Sequence, residues 1–514
     1  MESNLHYSIK MKYFLSLSTL FLFLSGTYLH AQTNDTIVEK IREEYSYERL
    51  LKKEITVNPA SMQGARKYSI TTMALFTQNN DTPNEIQQKG KGKNLWGAEA
   101  RTLQIIDPKT TVWGNASYTQ GKNKQVLWNE NSDYDIIYPF VAADSVGGDM
   151  KFENYAFSGG YSKKLNSFTI GVAGSYKASL SYRDVDPRPK NTTASFSLAL
   201  GADKLMFGKF RIGAFADAEK YTQKHYLSFV SNQGFPMIYN MSGLGNYNEL
   251  LSGKLRQAYY EGWSYEVGLQ VFEAESRNWY FNVGFKKFNL DKLLTEYMDL
   301  NASRIDEQQF NFSLGKLFTT NKISWGLFID GNHTMRKGTE NLFLNDNSRN
   351  YIQIGSVEKY NHESTNMIFK GLLQRENGNV KSSLLPYFGL IQGKEKYANP
   401  LSVIELNKIV YGADYQWFKT FDPDLALSVS LGFSVTDVYR KNAVFNNSGK
   451  PSINQMLQDN YRYQSSDFWQ AKLDINFHFS FPVIKNAYVG GKMMYSNFQN
   501  SSNVLFAATI GGIF

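Results

Sequence analysis

The chain contains no cysteine. Disulfide scaffolds, thiol chemistry, Cys-ligated zinc, iron–sulfur clusters and a lipid anchor on an N-terminal cysteine are therefore excluded. Proline is scarce, 12 in 514 residues, and glycine stands at 39. Neither collagen nor a proline-rich disordered chain has that balance. After the N-terminus no apolar run approaches the roughly 20 residues that a membrane helix needs. Charge of one sign is also lacking: the net value is +8, with no clustered Lys/Arg block of the kind nucleic-acid binding uses. No Walker loop, dinucleotide glycine pattern, Gly-x-Ser-x-Gly elbow or His-x-x-x-His occurs. The six histidines (His6, His30, His225, His333, His362 and His478) are scattered, and His362-Glu363 lacks the second histidine of a zincin. These absences point away from an enzyme and predict neither a metal nor a cofactor.

Aromatic residues are abundant, with 33 Tyr, 36 Phe and 8 Trp. Such side chains suit strands and membrane–water boundaries. At the N-terminus, Lys10 and Lys12 precede an apolar stretch from Tyr13 to Leu24, followed by Leu29-His30-Ala31. A basic start, a short apolar core and a small final residue describe a signal peptide over residues 1–31. Residues 32–64 read as a periplasmic or plug segment. Ile37, Ile41, Tyr45 and Leu50-Leu51 recur at helical spacing, and Asn58-Pro59-Ala60 ends the pattern.

From residue 65 to 514 the period is two. Trp469, Ala471, Leu473, Ile475, Phe477 and Phe479 alternate with Gln470, Lys472, Asp474, Asn476 and His478. Leu425 to Thr436 and Trp263 to Val271 alternate in the same way. Successive strand side chains point to opposite faces, so each segment has one apolar and one polar face. The segments reach the 9–11 residues with which a tilted strand crosses a bilayer, whereas sandwich strands average about 5–6. Short turns (Asp107-Pro108-Lys109, Asn377-Gly378-Asn379, Asp422-Pro423-Asp424) alternate with long connections at Leu127 to Asp149, His225 to Lys254, Gly331 to Glu363 and Asn442 to Ser465. The reading is all-β: a transmembrane antiparallel β-barrel of about 18 strands, within a range of about 16–18.

The chain ends on an alternating strand whose Phe506, Ile510 and terminal Phe514 share a face. Such an ending is expected to serve as an assembly signal, because the last strand must close against the first to leave no open edge in lipid. Several motifs carry a family resemblance. They are Thr111-Val112-Trp113-Gly114-Asn115, Trp128-Asn129-Glu130-Asn131-Ser132-Asp133-Tyr134 with Tyr138-Pro139, Tyr182-Arg183-Asp184-Val185-Asp186-Pro187-Arg188-Pro189, and Ser242-Gly243-Leu244-Gly245. The sequence resembles a family of Bacteroidota outer-membrane β-barrels known only as a domain of unknown function (DUF6850). That resemblance implies a barrel and the outer membrane of a Gram-negative bacterium, but no substrate.

Two regions hold candidate site residues. Charged residues expected in a lumen or constriction are Arg183, Asp184, Asp186, Arg188 and Lys190, joined by Glu266, Lys472, Asp474 and His478 on inward faces. An acidic outer loop carries Glu130, Asp133, Asp135, Asp144 and Asp149, without the spacing of an EF-hand. The expected function is a channel or uptake-associated, porin-like barrel. The alternative is a non-conducting partner subunit that scaffolds a surface lipoprotein or an energised receptor in a nutrient or metal uptake complex. A third reading is an outer-membrane hydrolase with a site on the outer wall. Outer-membrane lipids and the outer-membrane assembly machinery are expected partners; nucleic acid is not.

Overall fold

The protein is described by a computed structural model over residues 37–231, 234–253, 256–320, 322–345, 351–480, 486–498 and 501–514. The expected signal peptide lies outside these residues. Eighteen antiparallel strands form one sheet, each paired with its neighbours in sequence. The first strand, Ile70–Asp81, pairs with the second, Gly92–Asp107, on one side and with the last, Ser502–Ile513, on the other. Phe76 thus stands between Gly97 and Thr509. The sheet is closed and has no edge, which satisfies every ladder within the strands, as lipid demands.

The period-two pattern decides which face looks out. Along Gln257–Glu273, Trp263, Tyr265, Val267 and Leu269 are exposed, Leu269 to 61%, while Ser264 and Gln270 are buried. Along Leu425–Val444, Leu431 and Phe433 are exposed, Phe433 to 53%, while Ala426 and Ser428 are buried. The polar side chains therefore point inward, the reverse of a protein folded around an apolar core in water. A continuous apolar outer band of this kind belongs against lipid. Among the described residues no helix is long and apolar enough to cross a membrane; the strands do the crossing.

Tight turns cluster at one end. Asp107 Oδ1 accepts the Lys109 backbone N–H at 2.7 Å and Asp422 Oδ1 accepts that of Asp424 at 2.8 Å, side-chain turns that specify a reversal locally. At the other end the connections are long, with one departure from expectation. The region Gly331 to Glu363 is not a loop. It belongs to the strands Ile323–Asn345 and Tyr351–Asn377, of 23 and 27 residues, which stay paired to Asn345↔Tyr351. A strand needs about 9–11 residues to cross, so this hairpin projects well beyond the bilayer. Outside lipid its outward positions, such as His333 and Lys337, turn polar, and that loss of contrast made the segment read as a loop.

The N-terminal segment fills the short-turn end of the lumen. Helices Ile37–Glu44 and Tyr47–Lys52 lead into 3-10 turns at Lys53–Val57 and Pro59–Met62. Tyr47, Leu51 and Ile55 pack with Phe272, Tyr280, Phe328 and Leu372 of the wall. Ile41 packs in a cluster with Ala426 and Tyr488, and the Tyr45 ring meets that of His478 at 4.9 Å. Ser162 Oγ donates to Ala60 O at 2.8 Å, Gln270 to Ile55 O at 2.7 Å and Asn282 to Glu54 O at 2.8 Å. These contacts come from strands on opposite sides of the barrel, so the segment crosses the lumen as a floor. Room for it is built into the wall: a Cβ at Gly171 would run into Pro59 and Ala60, and one at Gly201 into Asn58.

Candidate chamber beneath the outer cap

The long connections fold inward at the other end. A three-stranded sheet forms from Ala142–Ala143, Tyr239–Gly243 and Asn246–Tyr247. Helix Pro451–Gln464 lays Ile453, Met456 and Leu457 onto it. Trp128, Ile137, Phe140 and Met241 join them, packed against Tyr260, Leu290 and Ile305 of the wall. The Ser242-Gly243-Leu244-Gly245 motif is the pivot. Gly243 and Gly245 take φ of +100° and +75°, and a Cβ on them would strike Tyr360 and Leu457 respectively. Only glycine fits both the left-handed backbone and the approach.

A cavity of about 440 Å³ lies between this cap and the wall. Loop residues Trp128, Tyr134 and Tyr138 line it together with Arg336, Tyr360, His362 and Glu395 of the wall. Arg336 joins the two parts. Its Nε donates to Glu307 at 2.6 Å, and its Nη1 donates to the carbonyls of Asp135 at 2.7 Å and Tyr138 at 2.9 Å. Lys89 pairs with Asp135 at 2.9 Å. Glu395 accepts a short bond from the Tyr138 hydroxyl. Burial pushes that hydroxyl well above its ordinary value, so it stays protonated as the donor. The Tyr138 ring meets Tyr360 edge-on at 5.6 Å and Tyr134 at 5.2 Å. Arg336, Tyr360, His362 and Glu395 are residues that sequence reasoning missed. They lie on three consecutive strands of the wall, 198 or more positions from Tyr138, and only Tyr134 and Tyr138, within a recognisable motif, pointed to the place.

The expected site residues are placed as follows. Arg183 is sealed away, 1% exposed, and its Nη1 lies 2.9 Å from Glu130 and 3.9 Å from Asp144, both fully buried. Asn191 Nδ2 also donates to Glu130 O at 2.8 Å. This group ties the cap loop to the wall. Burial raises the Glu130 carboxyl well above its ordinary value, with Asp144 adding to the effect. Asp184 pairs with Lys151 at 2.5 Å and Arg188 with Asp186 at 2.8 Å, and Asp186 also accepts the Val230 and Ser231 backbone N–H groups. Lys190 is exposed. The acidic loop is not brought together as one group. Asp133 accepts the Tyr221 hydroxyl at 3.0 Å, and Asp135 and Asp149 pair with Lys89 and Lys122. Among the described residues no cluster of three or more metal-ligating side chains occurs. Glu266, Lys472 and Asp474 lie half-buried on the inner face, and His478 is buried under the floor. Phe506, Ile510 and Phe514 lie exposed on the outer face. On the outer wall His333 Nδ1 sits 2.9 Å from Thr365 Oγ1, but Glu363 lies 3.8 Å from the other ring nitrogen.

A family model described as "Family of unknown function (DUF6850)" matches residues 59–514. The chain belongs to this family. The match begins at Pro59, within the floor, and runs to the terminal Phe514, so family identity covers the whole barrel. No curated protein matches the chain. Among solved structures, the siderophore receptor PirA from Acinetobacter baumannii is similar over 87% of this chain and 80% of its own, with 9% identity and a TM-score of 0.41. A mutant of the ferric enterobactin receptor PfeA from Pseudomonas aeruginosa covers the same shares at 8% identity and a TM-score of 0.37. The alcaligin receptor FauA from Bordetella pertussis covers 86% and 76% at 10% and 0.36. No functional reading rests on likeness at this level.

Proposed function

We propose that this protein is an uptake barrel of a Gram-negative outer membrane, in which a solute is held in the outer chamber and passes inward only when residues 37–64 leave the lumen. The observation that carries the reading is the way the floor is fastened. Wall side chains Ser162, Gln270, Asn282 and Arg277 donate to floor backbone carbonyls. Water replaces such bonds readily, so each contributes only about 0.5–1.5 kcal/mol net. Packing of Tyr47, Leu51 and Ile55 against the wall adds to them, so on this reading the floor leaves as a unit, from a barrel whose size otherwise leaves an aqueous interior. Lipids surround the outer face, and the assembly machinery would read the closing strand.

The test is planar-bilayer conductance of the intact protein, of a variant lacking residues 37–64, and of Gly201→Val, which dislodges Asn58 without removing chain. The intact protein is expected to stay closed and both variants to conduct. Variants that fold, as judged by heat-modifiable mobility, yet pass no current would overturn the reading.

One observation favours the second reading, a non-conducting subunit for a surface partner. Leu342, Leu344, Ile352 and Ile354 are exposed on the projecting hairpin, and Leu342 borders an outer groove of about 380 Å³ shared with Asn246 and Asn446. Purification from native membranes in mild detergent separates the two readings. A stoichiometric surface protein supports the subunit; a barrel that elutes alone supports the gated route.

A further inference from the structure

The lining of the outer chamber carries an inference about what it holds, resting on the uptake reading above. Its fixed charges are Lys89, Arg336, Asp135, Glu307 and Glu395. Both cations are spoken for: Arg336 by Glu307 at 2.6 Å and Lys89 by Asp135 at 2.9 Å. That leaves Glu395. Among the described residues no lysine, arginine or histidine pairs with its carboxylate within 4 Å; its hydrogen-bond partners are the Tyr138 and Tyr360 hydroxyls, and Arg336 attracts it from farther off. With Glu395 ionised and His362 neutral, the lining charges sum to one net negative charge. An anion such as phosphate or a carboxylic acid meets repulsion there.

The surroundings of Glu395 are aromatic. Tyr138 and Tyr360 stand at 90° to each other, Tyr134 lies beside Tyr138, and Trp128 lines the same space. Rings set at angles around a carboxylate present π faces and a negative charge to one volume. That combination recognises a cation bearing methyl or methylene groups, whose charge is weakly hydrated and whose carbon surface packs on the rings. A cavity of about 440 Å³ suits a small organic solute. We propose that the chamber beneath the cap binds small organic cations, of the quaternary-ammonium or alkylamine class, through the Tyr134–Tyr138–Tyr360 rings and the Glu395 carboxylate.

The test uses the full barrel in detergent, with calorimetry as the readout. The probes are choline and its uncharged carbon isostere, 3,3-dimethylbutan-1-ol. Choline is expected to bind saturably, and the isostere at least about tenfold more weakly. Glu395→Gln keeps the acceptor for Tyr138 and is expected to weaken choline by about tenfold while leaving the isostere unchanged. Tyr360→Leu, tested if the first variant folds poorly, should weaken both. Equal binding of the two probes, choline binding unaltered by Glu395→Gln, or no saturable choline binding up to about 10 mM each overturns the proposal. Binding is measured without transport, so its failure is separable from failure of the gated route, which conductance reports.

Discussion

At the scale of single residues, Arg183 shows how one buried cation fixes a loop. It lies against Glu130 and Asp144 with all three side chains sealed from solvent. Removing the cation leaves the buried Asp144 beside Glu130 without the charge that faces it, so Arg183→Met is expected to destabilise the cap by about 3–5 kcal/mol. Glu130→Gln leaves one charge of each sign and is expected to cost about 1 kcal/mol. Hydrogen exchange over residues 127–147 would rank the two variants; equal protection would remove Arg183 as the anchor. The same group predicts a pH dependence. Glu130 has a folded-state value well above 4.5 because of burial, so the folded loop holds a proton that the unfolded loop has lost. Stability of the cap is then greatest at low pH, falls as pH rises above about 4.5, and levels once the folded-state value is passed. Protection of residues 127–147, corrected for intrinsic rates, should fall as pH rises above about 4.5 in the intact protein and stay flat in Glu130→Gln. None of this pairing was visible in sequence. Glu130 and Arg183 are 53 positions apart, and an arginine just ahead of a proline-containing charged turn reads equally as a lumen charge or a surface residue.

Among elements, the closing strand and the projecting hairpin differ in how openly the sequence declares them. The last strand keeps its alternation through Phe506 and Ile510, and it meets the first strand: Phe514 N–H donates to Thr71 O at 2.8 Å, and Thr71 N–H to Phe514 O at 2.9 Å. Deleting Phe514 removes both bonds and the exposed terminal ring. It is expected to lower the yield of heat-modifiable barrel while leaving secretion of the chain unchanged; an unaltered yield would deny the terminal ring its proposed part in assembly. The floor helices were legible from the spacing of Ile37, Ile41 and Tyr45. The outer part of the hairpin, residues 331–363, was not, because outward residues such as His333 and Lys337 lose their apolar character where the strand leaves lipid and apolar ones return only near its tip, at Leu342, Leu344, Ile352 and Ile354. Strand propensity continues there while the binary pattern stops.

For the whole molecule, closure turns the usual order of a protein inside out, with polar side chains lining the interior and apolar ones surrounding it. Leu269, exposed on the outer face, then experiences the bilayer. Leu269→Arg is expected to cost about 2–4 kcal/mol if the residue lies near the midplane, read as a lowered urea midpoint in lipid vesicles. No loss would mean that this face does not meet the hydrocarbon.

Architecture was determined by the sequence alone because it depends on local rules. Side-chain alternation, strand length, turn residues at Asp107 and Asp422, and the alternating closing strand are each written within a few neighbouring positions, and together they imply a closed barrel of about 18 strands. The occupants of the lumen were decided only in three dimensions. The floor meets the wall where Gly171 and Gly201 leave space, and the cap meets it where Arg336 reaches the carbonyls of Asp135 and Tyr138. The chamber exists because Glu395 and Tyr360 come within reach of Tyr138 across more than two hundred positions of chain, 257 in the case of Glu395. Such contacts depend on barrel curvature and strand register, quantities that no single segment of sequence encodes.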